Sequence, residues 1–453
     1  MSTPKTKTAS QPPETTEGAI PKGRAFWWKL MDTDVGIIPL PFYLILIILL
    51  IAFTATKGIT GELAMVIAIS AVFAFTLGEI GNRLPLLRKI GGGAVLVTFI
   101  PSLLGYLGWV PDPMKKAVGD FFTSSKILNL FIAAVIVGSI LSMNRQVLIK
   151  GFFKIFVPLL AGSVLAVVAG TAVGTALGLG LHDTFFFTVV PIMAGGVGEG
   201  AIPLTIGYSQ ILGMEQGAAL ARVLPPIMVG NLTAVILAGA LALLGKKYPN
   251  LTGNGQLQAG GGSDDILDLE DGQKPARFDL KGVAAGGIVA VTLYLLGVLA
   301  NELLGWPAPV VMLFAAVLLA LAHGVSPRLQ GGLKMVYRFA LTAVAFPLLF
   351  TFSLIQTPWQ SLVAGFAPAN LITIVTTVVA MVAGGFFTAR WVKLHPIETA
   401  MITSTHSGMG GAGDIAILTA ADRMRLMPFA QIATRIGGGL TVAGALILIS
   451  IVH

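Results

Sequence analysis

The sequence predicts an all-α integral membrane protein. About eleven transmembrane helices are expected, in two inverted five-helix repeats that each carry a re-entrant glycine-rich hairpin loop. Three observations point there. Of 453 residues, 55% are hydrophobic and only 11% charged, with a mean hydropathy of +0.86, whereas a soluble domain is about 25% charged. Apolar stretches near the length a bilayer demands, about 20 residues, recur along the chain. Two segments, PIMAGGVGEGAIP (191–203) and HSGMGGAGD (406–414), interrupt that pattern at matching places. This composition excludes a soluble multidomain enzyme. It also excludes a disordered chain, which needs low hydrophobicity. With no cysteine, disulfides, thiol chemistry and Cys-type metal sites are excluded as well.

The elements follow in order. Residues 1–30 are rich in Thr, Pro and Lys and lack the apolar core of a signal peptide. A disordered cytoplasmic tail is expected there, with Phe26, Trp27 and Trp28 marking an interfacial belt. The first transmembrane helix falls within 31–60. The N-terminal repeat spans 61–245, with its re-entrant loop near 191–203. A Gly-, Asp- and Gln-rich stretch, 246–281, reads as a solvated cytoplasmic linker. The C-terminal repeat spans 282–453, with its loop near 398–418. Spans are expected at 36–56, 62–82, 91–110, 127–143, 152–180, 218–244, 282–304, 307–323, 337–356, 368–389 and 427–452.

Charge tests this order, because Lys and Arg concentrate on the cytoplasmic side. Most of the 29 Lys and Arg fall in alternate gaps beginning with the N-terminus. Only Lys57, Lys115, Lys116 and Lys126 fall in the others. Arg222, Arg423, Arg425 and Arg435 lie at depth or in ambiguous loops. The N-terminus is therefore expected inside and the C-terminus outside. The net charge of +8 reflects topology here, not nucleic-acid binding.

The first Gly loop lies about as far from Glu62 as the second lies from Gly282. Each half has an odd number of spans, so the two loops would enter from opposite faces. Inverted repeats with broken helices at the midplane are the architecture of many secondary transporters. Gly permits the positive φ of a tight turn, and its N–H groups need partners that hydrocarbon cannot supply. An anionic substrate supplies them. The competing reading, glycines that merely pack helices together, weakens when two loops match and each holds an acid. A dinucleotide fingerprint would need a βαβ setting, which is missing from this pattern.

Charges at membrane depth are costly and mark function. Arg435, in TRIGGG, could grip a carboxylate with two parallel hydrogen bonds; snorkelling to the interface or pairing with a nearby acid is the alternative. Glu199 and Asp414, inside the loops, could bind a cation, exchange a proton or cap backbone N–H groups. His406 could carry a coupled proton or serve as a hydrogen-bonding brace. His395, Glu398, Glu79 and Asn82 read as interfacial. Arg222 reads as a rim residue, and Asp422, Arg423 and Arg425 as a membrane-edge anchor.

At VGIIPLP (35–41), PIMAGGVGEGAIPL (191–204), HSGMGGAGDIAIL (406–418) and LMPFAQIATRIGG (426–438), the chain resembles the 2-hydroxycarboxylate transporter family of bacterial citrate and malate carriers. The likeness runs from about residue 30 to the C-terminus and is nearest the malate- and citrate-transporting branch, which includes proton-coupled members. It implies eleven spans, two re-entrant loops, a homodimer in the bacterial cytoplasmic membrane, and a mobile domain carrying substrate past a scaffold as an elevator. It implies a carboxylate-binding role for Arg435. It also implies backbone contacts to substrate and cation at Gly195, Gly196, Gly198, Gly410, Gly411 and Gly413. Sodium-coupled citrate carriers have an Asn where Val197 stands, and an Arg near Met409 and an Asn near Gly408. These departures favour a dicarboxylate such as malate, or partly protonated citrate, and H⁺ over Na⁺. Loop carbonyls could still hold Na⁺.

The expected function is thus symport of malate or citrate with H⁺ or Na⁺. No organic cofactor, resident metal or enzymatic activity is expected. Malate or citrate/lactate exchange is an alternative. The membrane subunit of an ion-pumping decarboxylase is another, but it would need an acidic relay through the spans. An anion channel would need basic rings, and a sensor would need a signalling domain.

Overall fold

The computed structural model describes residues 22–56, 58–85, 87, 92–143, 145–258, 279–304 and 306–453. Helix α1 (Lys22–Met31) and a two-residue antiparallel pair, β1 (Asp34–Val35) and β2 (Ile38–Pro39), lead into α2 (Leu40–Ala55). There follow α3 (Leu63–Arg83), α4 (Gly92–Tyr106), α5 (Asp112–Ser125), α6 (Ile127–Leu141) and α7 (Arg145–Ala176). Helices α8 (Leu181–Ile192) and α9 (Ile202–Leu212) flank the first Gly segment, and α10 (Gln216–Lys247) closes this half. The second half comprises α11 (Leu280–Leu304), α12 (Ala308–Leu321), α13 (Pro327–Ile355), the short α14 (Trp359–Ala364) and α15 (Pro368–Thr388). Helices α16 (Pro396–Thr405) and α17 (Gly411–Ala420) flank the second Gly segment before α18 (Met424–Val452).

Among the described residues, seven helices are long and apolar enough to cross a membrane, and an eighth crossing arises if α5 and α6, bent by 56°, count as one. The expected spans at 36–56, 91–110 and 307–323 correspond to α2, α4 and α12, with 16, 15 and 14 residues. At 1.5 Å per residue these rise roughly 21–24 Å, short of an average hydrocarbon core of about 30 Å. Prolines set two of the starts, Pro39 before α2 and Pro307 before α12, where a missing N–H costs nothing. Helix α7 runs unbroken for 32 residues through Pro158.

Ordered structure falls within two of the expected segments. Residues 22–31 of the expected disordered tail form α1, whose exposed Phe26, Trp27 and Trp28 give it an apolar side suited to an interface; residues 1–21 lie outside the described residues. The expected linker begins as ordered structure. Residues 246–247 end α10, and 249–251 form a turn of 3₁₀ helix; residues 259–278 lie outside the described residues. Between them the chain wraps Glu398, which is fully buried rather than interfacial. Thr252 Oγ1 donates to it at 2.6 Å, and the Gly253 and Gly255 N–H groups at 2.9 and 3.1 Å. Arg423 stands 3.5 Å from the same carboxylate and donates to Asn254 Oδ1 at 3.1 Å. It therefore braces this contact instead of anchoring a membrane edge. A buried carboxylate survives because several donors compensate its lost hydration.

The helices pack in two sets. Helices α3, α4, α6, α11, α12 and α13 form one. Helices α7 to α10 and α15 to α18 form the other. Each half of the chain contributes its earlier helices to the first set and its later ones to the second. The most extensive pairing is α7 along α15, through small residues. Gly162 faces the Met381 carbonyl, Gly170 faces Thr377, and Gly384 lies against Gly162. Without a hydrophobic drive between helices in lipid, such close approach supplies the packing. Four wide turns, of π-helix type, interrupt α8 (Thr184–Val189), precede α9 (Val197–Ala201), and interrupt α13 (Ala340–Val344) and α18 (Ala433–Gly437). Such turns appear often at functional sites.

Replacing Gly170 by Val would drive a branched side chain into Thr377. The expected cost is about 1–3 kcal/mol, measurable as a lower Tm of the detergent-solubilised protein; an unchanged Tm would refute the packing assignment.

Candidate functional site

Both Gly segments break the helix, and both breaks need glycine. Gly195 and Gly196 have φ of 84° and 101°, and Gly410 has φ of 74°, a region side chains other than Gly rarely occupy. The two bends meet tip to tip: a Cβ on Gly196 would strike the Gly410 backbone, and one on Gly195 would strike the Thr434 carbonyl. Gly413 lies against Asn231 Oδ1. By contrast, a Cβ on Gly411 would meet nothing and one on Gly198 only Leu341, so packing requires neither glycine. The structure thus brings Gly195, Gly196 and Gly410 together and leaves Gly198 and Gly411 to its edges.

Arg435 lies in the wide turn of α18, its side chain 17% exposed. Its Nε is 3.8 Å from Glu199 Oε1, an ion-pair distance beyond hydrogen bonding. Tyr337 of α13 donates its hydroxyl to the same oxygen, and its ring lies 5.1 Å from the guanidinium carbon. Glu199 Oε2 is buried and has no hydrogen-bond partner among the described residues. Glu199 therefore does not cap a helix. The cluster sits on the seam between the two helix sets: Ser139 of α6 and Leu313 of α12 close the cleft from one side, Pro203 and Gly439 from the other. The cleft measures about 20 Å³, room for about one water. A four-carbon anion enters it only when these walls part.

Asp414 is fully buried in the first turn of α17. Its Oδ1 accepts from Thr434 Oγ1 at 2.8 Å, while Oδ2 has no hydrogen-bond partner among the described residues. It does not cap the helix either, since the cap position is Gly410. A buried carboxyl oxygen without a donor calls for a proton or a cation. Asn231 of α10 accepts from the Met409 N–H at 3.1 Å, holding the second bend from outside.

His406 stands apart from the cleft. Its Nδ1 faces the Ala433 carbonyl at 3.0 Å and its Nε2 faces Thr441 Oγ1 at 3.4 Å. A carbonyl only accepts, so Nδ1 carries the hydrogen and the ring braces the second bend against α18. At the rim, Arg222 pairs with Asp183 at 2.7 Å over the Phe187 ring, and Glu79 pairs with Arg83 at 2.8 Å.

Sequence reasoning missed Tyr337, Asn231 and Thr434. With a span expected from 337, Tyr337 reads as an interfacial aromatic; α13 in fact begins at Pro327, which carries Tyr337 three turns inward. Asn231, an amide in the middle of an apolar helix, was the available signal.

The described residues thus bring two facing Gly bends and a largely buried arginine together in a helix-packed protein with at least seven helices apolar enough to cross a membrane. The chain belongs to the 2-hydroxycarboxylate transporter family, whose model matches residues 35–447. It is 50% identical over 422 residues to the citrate/malate-proton symporter of Bacillus subtilis, covering 93% of each chain. It is 37% identical to the Na⁺-malate symporter of the same organism, over 93% of this chain and 94% of that one. It is 30% identical to the citrate/sodium symporter of Salmonella typhimurium, over 91% and 94%. The family and these relatives are transporters.

Arg435→Lys keeps the charge and loses the planar fork. Uptake in reconstituted liposomes should fall at least about tenfold, the scale of one lost charge-assisted hydrogen bond; wild-type uptake by this variant would remove Arg435 from the site.

Proposed function

We propose that the protein is a symporter that imports malate, or partly protonated citrate, together with H⁺. The carrying observation is the cluster of Arg435, Glu199 and Tyr337 on the seam between two helix sets. Glu199 and a substrate carboxylate compete for one guanidinium. A deprotonated Glu199 neutralises Arg435 and repels an incoming anion. A protonated Glu199 gives up that charge, and the substrate carboxylate takes its place in the fork. Substrate and proton then enter together, because each stabilises the other's bound state. The nearby N–H groups of the two bends, Gly195, Gly196, Gly410 and their edge neighbours Gly198, Gly411 and Gly413, would complete the grip on the anion.

The two-set packing supports an elevator in which α7–α10 and α15–α18 slide with the substrate past α3, α4, α6 and α11–α13. The matching order of helices and bends in the halves supports two inverted five-helix repeats with re-entrant hairpins, eleven spans in all, N-terminus inside and C-terminus outside. The short helices would then cross where the bilayer thins or the protein covers them. A homodimer is proposed from the family resemblance. Asp414 supports a second reading, Na⁺ coupling, since its Oδ2 and the neighbouring loop carbonyls are oxygen ligands of the kind a hard cation takes.

Labelled malate should accumulate in proteoliposomes under a ΔpH alone, and a Na⁺ gradient alone should drive nothing. Glu199→Gln, a mimic of the protonated state, should abolish ΔpH-driven accumulation but retain exchange of external for internal malate. Accumulation driven by Na⁺ alone would instead move the coupling site to Asp414 and the loop carbonyls. Exchange without either driven uptake in the wild type would make it a malate or citrate/lactate exchanger.

A further inference from the structure

The seam holds a second polar cavity, separate from the Arg435 cleft. It measures about 250 Å³, and Lys126, Asn129, Ser209, Gln210 and Gln216 line it together with apolar neighbours. The same two walls build both spaces. Helix α6 gives Asn129 to the cavity and Ser139 to the cleft, and the chain through α9 gives Ser209 to the cavity and Glu199 to the cleft. Ten helical residues separate the members of each pair, a rise of roughly 15 Å. The cavity therefore lies in the same groove as the cleft. It lies at the end where α10 begins with Gln216, opposite the end where α10 finishes at Lys247.

Its chemistry is that of an anion receiver. Lys126 supplies three donors on a point charge. It sits at the bend between α5 and α6 in the left-handed conformation, with φ of 50°. Gln216 Nε2 is a buried donor with no hydrogen-bond partner among the described residues. Asn129 Nδ2 is committed to Tyr294 at 2.9 Å, which fixes the amide. No Asp or Glu is among the lining residues. The volume admits a small organic anion, whereas the cleft beyond admits about one water.

We propose that this cavity is an outer docking site for the carboxylate substrate, occupied before the anion reaches Arg435. The proposal rests on the transport reading above. Lys126 draws the anion to the groove and the amides orient it; passage to Arg435 follows when the walls part. Such steering by one charge acts on capture rather than on translocation, and salt screens it.

Two measurements test it. In proteoliposomes, Lys126→Gln should raise the KM for labelled malate about 3- to 10-fold, with kcat little changed. Lys126→Glu should raise it further, and the gap from wild type should narrow as ionic strength rises. Lys116→Gln, an exposed lysine of α5 outside the cavity, controls for net charge. An unchanged KM in Lys126→Gln, or an equal rise in Lys116→Gln, overturns the proposal. Second, equilibrium binding of labelled malate to purified Arg435→Ala protein reads the cavity with the inner site disabled. Weak binding that Lys126→Gln abolishes supports it, and binding indifferent to Lys126 overturns it. If the wild type transports no malate yet this Lys126-dependent binding persists, the docking site stands and the transport reading falls.

Discussion

Two bends of bare backbone lie inside the protein, packed directly against each other. A turn at membrane depth frees N–H and C=O groups that lipid cannot satisfy. Here Gly196 rests on the Gly410 backbone and Gly195 on the Thr434 carbonyl, so each bend is walled by protein. No Cβ fits at those approaches. The position of each candidate side chain follows: Glu199 leaves one bend, Asp414 starts the helix beyond the other, and Arg435 rises from the adjoining α18 turn.

Charge is handled unequally within this arrangement. At Glu398 the carboxylate is surrounded by Thr252, two backbone N–H groups and Arg423, and each of its oxygens has a donor. At Glu199 and Asp414 one oxygen of each carboxylate is left without a hydrogen-bond donor among the described residues. The first pattern is that of a fixture. The second is that of groups awaiting a partner, and it occurs at the seam and beside the bends. Three buried acids of the same chain are thus distinguished by their donors.

Much of the fold was legible in the sequence. Composition and apolar runs gave the membrane class, and glycine with an embedded acid located both bends to within a few residues. Arg435 stood out because it alone of the charged residues interrupts the apolar stretch 427–452. Helix ends were less so: hydropathy placed Tyr337 at a membrane edge, because it does not register that α13 continues back to Pro327 through polar residues. The burial of Glu398 was hidden for a different reason. Its donors lie in a Gly- and Asn-rich stretch some 140 residues earlier, and nothing local marks such a stretch as docked. Asn231 and Thr434 act only through contacts between distant helices.

The wide turns have a further consequence. A π-type turn is an α-helix carrying one surplus residue, and one residue is about 100° of helical rotation. Four of them lie in α8, before α9, in α13 and in α18. A wide turn absorbs that surplus residue, so removing one residue from the α18 turn would restore a regular α-helix and leave the helix faces on either side in place. Only Arg435 and its neighbours within the turn would be re-aimed. The direction of that guanidinium therefore depends on residue number as well as on residue type.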